Sequence, residues 1–244
     1  MTAFALKLIA IIAMTVDHIA YTFFPDILWL RIFGRITIVI MAYFITVGYR
    51  KTRNVTRYML RLLAFAVISE IPFHLLFGNP DKIIFIQDSS NVIFTLFLGV
   101  AALWLSDIAE KKNRDLGFIR IIVYAAAIAV AVVIRSDWQY KGLLIVFAFY
   151  HAGQDRAKMI LYPGTVYFMC FIADIIRFYL RYYWISGSLP SQGLGIPLVE
   201  LCGVFALPLI LCYNGKKGTS AKYLFYIYYP LHLTLIWLAR TFVF

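Results

Sequence analysis

Phe4-Ala5-Leu6-Lys7-Leu8-Ile9-Ala10-Ile11-Ile12-Ala13-Met14-Thr15-Val16-Asp17-His18-Ile19-Ala20-Tyr21-Thr22-Phe23-Phe24 is the stretch on which the fold turns. A helix needs about 20 mostly apolar residues to cross a bilayer, and this run supplies them with only Lys7, Asp17 and His18 ionisable. It is too long for the apolar core of a signal peptide, and Asp17 and His18 interrupt its far end, so it reads as a retained span. Working outward, similar runs follow at 27–49, 57–77, 90–106, 118–135, 139–151, 158–180, 194–213 and 221–243. The run at 139–151 is short and reads as tilted or re-entrant. Between the runs stand chain-turning groups: Pro25-Asp26, Gly78-Asn79-Pro80-Asp81, Asn113-Arg114-Asp115, Ser186-Gly187-Ser188-Leu189-Pro190 and Asn214-Gly215-Lys216-Lys217-Gly218.

Composition agrees with that reading. Of 244 residues, 63% are hydrophobic and only 14% are charged, against about 25% charged in a soluble domain. Too little polar surface exists to cover a water-soluble globule. The excess of 23 Lys+Arg over 12 Asp+Glu, a formal +11, does not indicate nucleic acid, because the basic residues punctuate apolar runs instead of forming a polar basic face. Cys170, Cys202 and Cys212 lie in apolar stretches without CxxC spacing, so neither a disulfide framework nor a metal site is expected. The expected fold is a single all-α integral membrane domain over residues 1–244, a multi-pass, polytopic bundle of about nine transmembrane helices in contact with membrane lipids.

Orientation follows from the positive-inside rule. With the N-terminus inside, 14 Lys and Arg residues fall on the inner side and six on the outer, while Arg31, Arg35 and Arg61 lie within spans. The expectation is a cytoplasmic N-terminus and an outside C-terminus.

Ionisable groups within hydrocarbon are costly and mark functional sites by default. Counted from each span's outer end at about 1.5 Å per residue, Arg31 lies roughly 6 Å deep, His18 roughly 9 Å, Glu70 roughly 10 Å, Arg35 roughly 12 Å and His232 near 15 Å. Arg31 and Arg35 share a helix face, as do Glu70 and His74, because residues four apart are neighbours. Asp17 and His18 are adjacent and point about 100° apart. Asp17 is therefore expected to pair with an arginine of the second helix, leaving the His18 imidazole to chemistry. His74 and His151, near span ends, are expected at the membrane interface. The bland alternative for the charged groups is a set of structural pairs clamping the bundle.

A pattern then builds along the chain: Lys7-Leu-Ile-Ala, Met14-Thr-Val-Asp17-His18, Arg31-Ile-Phe-Gly34-Arg35, Gly48-Tyr49-Arg50-Lys51-Thr52-Arg53-Asn54 and Tyr58-Met-Leu-Arg61. Ser69-Glu70-Ile71-Pro72-Phe73, Asn91-Val-Ile-Phe94-Thr95, Asp137, Tyr140, Gly142, Asn214-Gly215-Lys216-Lys217-Gly218 and Tyr229-Pro230-Leu231-His232 continue it. This ordered set resembles the TraX family, membrane proteins named for the acetylase that caps the N-terminus of conjugative pilin, and through it the acyltransferase-3 superfamily. That superfamily separates a basic residue and a histidine on the first helix by ten residues, the spacing of Lys7 and His18. At Val47 the chain departs from the pattern, where the family carries an acidic residue.

The resemblance implies a membrane-embedded acetyltransferase of the bacterial inner (cytoplasmic) membrane. Its donor is acetyl-CoA, entering from the cytoplasm, and its acceptor is a peptide or protein N-terminal amine on the outer side. Acetyl transfer needs a base for the acceptor's proton and donors for the tetrahedral oxyanion. His18 is the expected base, with His232 the second acid/base candidate. Arg31 and Arg35 stabilise the oxyanion or orient the acceptor through Asp17 and Glu70. The donor's phosphates need fixed cations and N–H groups. The candidates are Lys7, Arg50, Arg53, Arg57, Arg61, Asn214, Lys216 and Lys217, whose bland alternative is topology alone. The competing functions are O-acetylation of a glycan or small molecule, and a non-enzymatic transporter, lipid-handling or accessory role. Direct transfer and an acetyl-histidine intermediate both remain open at this level.

Overall fold

The computed structural model describes residues 1–78, 89–112, 118–186 and 195–243. Among these residues every regular element is helical: α1 (Ala3–Phe23), α2 (Leu30–Lys51), α3 (Val55–Phe77), α4 (Val92–Lys112), α5 (Phe118–Val133), α6 (Gln139–Ala152), α7 (Arg156–Ser186), α8 (Gly195–Leu201), a 3₁₀ turn (Cys202–Phe205), α9 (Ala206–Leu211) and α10 (Lys222–Val243). Five of them, α1, α2, α3, α4 and α7, are long and apolar enough to cross a membrane. The expected breaks at 79–81, 113–115 and 187–190, and the cations Lys82 and Arg114, lie outside the described residues.

Three boundaries differ instructively from the hydropathy reading. The run at 194–213 is not one helix. It breaks into α8, the 3₁₀ turn and α9, because Gly203 is pressed against the Tyr167 ring and Pro208 lacks the N–H that would bond back to Val204. The short run at 139–151 becomes α6, buried along most of its length at Leu143, Ile145, Val146, Phe147, Ala148 and Phe149. At about 1.5 Å per residue it spans only about 21 Å, so it is a core helix covered by protein rather than by lipid. Helix α2 starts at Leu30, three residues later than expected, because the turn 24–29 is closed by its own bonds, such as Ile27 N–H to Phe24 O at 3.0 Å.

The chain divides into two compact units, residues 1–41 with 151–218, and residues 42–150 with 219–244. In the first, α1 and the start of α2 form a helical hairpin, pinned where Thr37 Oγ1 donates to Ala10 O at 2.9 Å. Thr2 caps α1, its hydroxyl accepting from Ala5 N–H at 3.3 Å. The segment 212–218 wraps that end: Lys216 O and Lys217 O accept from Ala3 N–H and Phe4 N–H at 3.0 and 3.1 Å. The orphan amides of the helix start are thereby satisfied by chain. Gly218, at φ +72°, lies so close to Thr2 that a Cβ would fall 2.6 Å from its hydroxyl oxygen.

In the second unit, α4 packs between α3 and α5. Against α6 it comes close at Gly99, where a Cβ would lie 3.1 Å from Val146. Helices α3 and α10 run parallel: Phe65 stacks on Tyr226 at 4.9 Å, and further along both helices Arg240 donates to Leu76 O at 3.2 Å. The turn from α5 to α6 holds Arg135, Trp138 and Gln139 at positive φ, a conformation costly for side-chain-bearing residues. Two backbone bonds to Ser90 strap it: Ser90 N–H to Arg135 O at 3.2 Å and Asp137 N–H to Ser90 O at 2.7 Å.

Candidate functional site

Polar clusters interrupt the apolar helices in both units. The first is built on the α1–α2 hairpin. Arg31, Gly34 and Arg35 fall on one face of α2 by helical spacing, and Asp17 lies against that face. Arg35 Nη2 donates to both carboxylate oxygens of Asp17 at 3.1 and 2.9 Å, and Arg31 Nε reaches Oδ1 at 3.5 Å. Both Asp17 and Arg35 side chains are 13% exposed, whereas Arg31 is 30% exposed. The late start of α2 puts Arg31 in its first turn, shallower than expected, with its guanidinium over the Tyr21 ring at 5.1 Å.

Gly34 makes this pairing possible. A Cβ there would fall 2.2 Å from Asp17 Cβ and 2.7 Å from Oδ2, so the absence of a side chain lets the carboxylate approach between the two arginines. The pairing of Asp17 with the second helix is as the sequence predicts. His18 is half-buried on the same helix and has an interaction of its own, as an imidazole removed from water requires.

Tyr167 of α7 belongs to the same unit. It is 5% exposed, and its hydroxyl finds no hydrogen-bond partner among the described residues. Arg35 and Glu200 are within its electrostatic reach.

Among the expected donor-phosphate ligands, Lys7, Asn214, Lys216 and Lys217 come together in this unit. Lys7 is half-buried and feels the Lys217 ammonium, while Lys216 and Lys217 are exposed. The loop itself is not an open cradle of amides. Asn214 N–H is taken by Met1 O at 2.9 Å and Lys216 N–H by Asn214 Oδ1 at 3.0 Å. Two of the loop's amides are thus already bonded, one to the chain start and one within the loop itself, while its carbonyls at Lys216 and Lys217 close the start of α1.

The second cluster surrounds the start of α4. Asn91 caps that helix, its Oδ1 accepting from Ile93 N–H at 3.1 Å. Its Nδ2 donates to Ala66 O at 2.8 Å and to Glu70 Oε2 at 2.5 Å, and its own N–H reaches the same oxygen at 3.2 Å. Glu70 Oε1 meets His74 Nε2 at 3.3 Å. His74 is thus the partner of Glu70, one turn before the end of α3. Glu70 serves the open end of α4, where a carboxylate is favoured by the helix dipole. Thr95 Oγ1 lies 2.9 Å from Ser136 Oγ and 2.5 Å from Asp137 O.

His232, 3% exposed, is held by its own helix: Nδ1 donates to Tyr228 O at 2.9 Å, and the ring stacks on Tyr228 at 5.2 Å. Since a carbonyl can only accept, Nδ1 carries a proton.

Arg50, Arg53, Arg57 and Arg61 also lie in the second unit. Arg50 donates to Tyr150 O and covers its ring at 5.3 Å. Arg61 lies over Tyr58 at 5.9 Å, with Tyr226 in reach. Arg53 and Arg57 are exposed. Sequence reasoning assigned no role to Asp107, which accepts from Tyr49 and Tyr150 hydroxyls at 2.7 and 2.6 Å and pairs with Arg120 at 3.7 Å. Nor did it assign one to Asn91 or Tyr167. A lone Asn before an apolar run is the capping signal that points to the first; nothing in local spacing singles out the second.

These features define an all-helical protein with several helices fit to cross a membrane and ionisable side chains clustered within them. Sequence comparison supplies the particular family: the TraX protein family model matches residues 3–240, and the chain belongs to that family. It is similar to the probable fimbrial assembly protein FimC, serogroup H1, of Dichelobacter nodosus, at 32% identity over 254 residues covering 99% of this chain and 97% of the relative. No solved structure matches.

Proposed function

We propose that this protein is an acetyltransferase of the inner membrane. It moves an acetyl group from cytoplasmic acetyl-CoA to an amine at the outer side, the N-terminus of a pilin- or fimbrin-like peptide. The family and the name of the fimbrial relative support the acceptor class. The observation that carries the chemistry is the Asp17 carboxylate gripped by two guanidinium groups next to His18 on the same helix.

In this reading the acceptor nitrogen attacks the thioester carbonyl carbon while His18 takes its proton. The carbonyl electrons move onto oxygen, and the fixed charges of Arg31 and Arg35 stabilise that oxyanion. The oxyanion collapses, the C–S bond breaks, and the coenzyme thiolate leaves and recovers a proton from the imidazolium. Asp17 holds the two arginines in place. Lys7, Lys216 and Lys217 take the donor's phosphates. Lys7 and His18 are eleven residues apart on one helix, roughly 16 Å, a distance the pantetheine arm can bridge. Glu70 is left to its capping role and Arg50 to Tyr150; neither is required by this scheme.

The test is transfer from radiolabelled acetyl-CoA to an amine-bearing peptide by purified protein in nanodiscs. Wild type is expected to transfer label, and His18→Ala to lose about a hundredfold or more of the rate. Transfer that survives His18→Ala removes His18 as base. Absence of acetyl-CoA binding by intact wild type removes the enzyme reading.

A further inference from the structure

We infer that the second unit binds anionic phospholipid headgroups at the end where α2 and α4 finish and α3 begins, a role independent of the acetyl-transfer reading. One knot of polar side chains brings that end together. Asp107 of α4 accepts from Tyr49 of α2 at 2.7 Å and from Tyr150 of α6 at 2.6 Å. Arg120 of α5 reaches the same carboxylate at 3.7 Å and Glu110 at 2.5 Å. Lys111 and Lys112 stand about one turn beyond Asp107 at the end of α4, and Lys51 and Arg53 follow Tyr49 at the end of α2. Asn54 then caps α3, its Oδ1 accepting from Arg57 N–H at 2.8 Å, so Arg57 belongs to the same end. The side chains of Lys51, Arg53, Arg57, Lys111 and Lys112 are all exposed.

Charge at this end is unbalanced. Its described carboxylates, Asp107 and Glu110, are taken by Arg120 and the two tyrosines, and no carboxylate among the described residues pairs with those exposed cations. Arg50 stands apart from them, because it is turned onto Tyr150. Helix dipoles account for Lys51, Lys111 and Lys112, which lie in last turns where a cation is favoured. They do not account for Arg57, in the first turn of α3 where the dipole opposes it, or for Arg53, in the connection between helices. Helices α2, α3 and α4 are each long and apolar enough to cross a bilayer, so their charged ends lie at the level of the headgroups. There an anionic leaflet strengthens binding by about fivefold for each nearby Lys or Arg. A soluble phosphate compound offers the same chemistry at one point, whereas cations carried on the ends of three helices match a plane of phosphates. Setting topology during insertion would use these charges as well, but it leaves the folded protein indifferent to lipid headgroups.

The experiment places the full chain in phosphatidylcholine nanodiscs and compares how strongly it immobilises spin-labelled phosphatidylglycerol and spin-labelled phosphatidylcholine. Wild type is expected to prefer phosphatidylglycerol by about tenfold, and the preference should shrink as salt is raised. The variant carrying Lys51→Gln, Arg53→Gln, Arg57→Gln, Lys111→Gln and Lys112→Gln should fall to about twofold or less, with a wild-type unfolding midpoint in phosphatidylcholine. Arg53→Lys with Arg57→Lys should keep the preference, since the charge is kept. Equal immobilisation of the two lipids by wild type overturns the inference, and so does a preference that salt does not weaken, a reading that needs no variant. A preference that survives the five substitutions overturns it too, by placing the lipid elsewhere. Displacement of the labelled phosphatidylglycerol by coenzyme A, but not by salt of equal ionic strength, overturns it by making the surface a site for a soluble phosphate compound.

Discussion

Asp17 and Glu70 look alike in the sequence, each a carboxylate several residues inside an apolar helix, yet the two units employ them differently. Asp17 is held by cations: Arg35 at 2.9 and 3.1 Å, and Arg31 at 3.5 Å. Glu70 is held by neutral donors and an imidazole: the carboxamide and N–H of Asn91, and His74. Removing charge from Asp17 strands two guanidinium groups; removing charge from Glu70 strands none. The difference separates an ion pair with two guanidinium groups from a carboxylate that closes a helix end.

The sharpest test of the contrast is Asp17→Asn, for which a loss of about 3–5 kcal/mol is expected, the usual cost of leaving a buried charge without its partner. Reversible unfolding in detergent, or the level of folded protein in membranes, reads it directly. Gly34→Ala comes next, at about 3 kcal/mol, because the new Cβ would fall 2.2 Å from Asp17 Cβ, far inside contact distance. Tolerance of alanine there would mean that the hairpin can open without losing the pair. Asn91→Ala is expected to cost about 2 kcal/mol by removing the α4 cap and the Glu70 donor together; hydrogen exchange should show the loss concentrated in the first turns of α4. Within the arginine pair, Arg35→Lys should cost about 1 kcal/mol more than Arg31→Lys, since Arg35 is better buried and makes the two shorter bonds. Equal costs would show that Arg31 anchors Asp17 as strongly as Arg35 does, and overturn the ranking. Smallest of all, Glu70→Gln is expected to cost about 1 kcal/mol, its amide oxygen still accepting from Asn91. A loss matching that of Asp17→Asn would erase the distinction between the two clusters.

Part of this was legible before any fold was known. The i,i+4 spacing of Arg31 and Arg35 and the awkward adjacency of Asp17 and His18 predict the α1–α2 ion pair, because helix geometry alone sets which side chains can meet. The same spacing predicts Glu70 with His74. What spacing leaves out is Asn91, which comes to Glu70 from 21 residues away by capping another helix. Tyr167 is further still: one of 17 tyrosines, it has its hydroxyl, like that of Tyr229, enclosed without a partner among the described residues.

By itself, then, the sequence determined that the chain is helical, apolar enough for a bilayer, and supplied with ionisable residues inside its runs. Those are consequences of composition and periodicity, which act locally along the chain. Only the tertiary structure decided that α6 is a core helix, that 194–213 breaks at Gly203, and that one carboxylate meets arginines while the other meets an amide. Each of these depends on which distant surfaces come within about 3 Å, the range over which hydrogen bonds act.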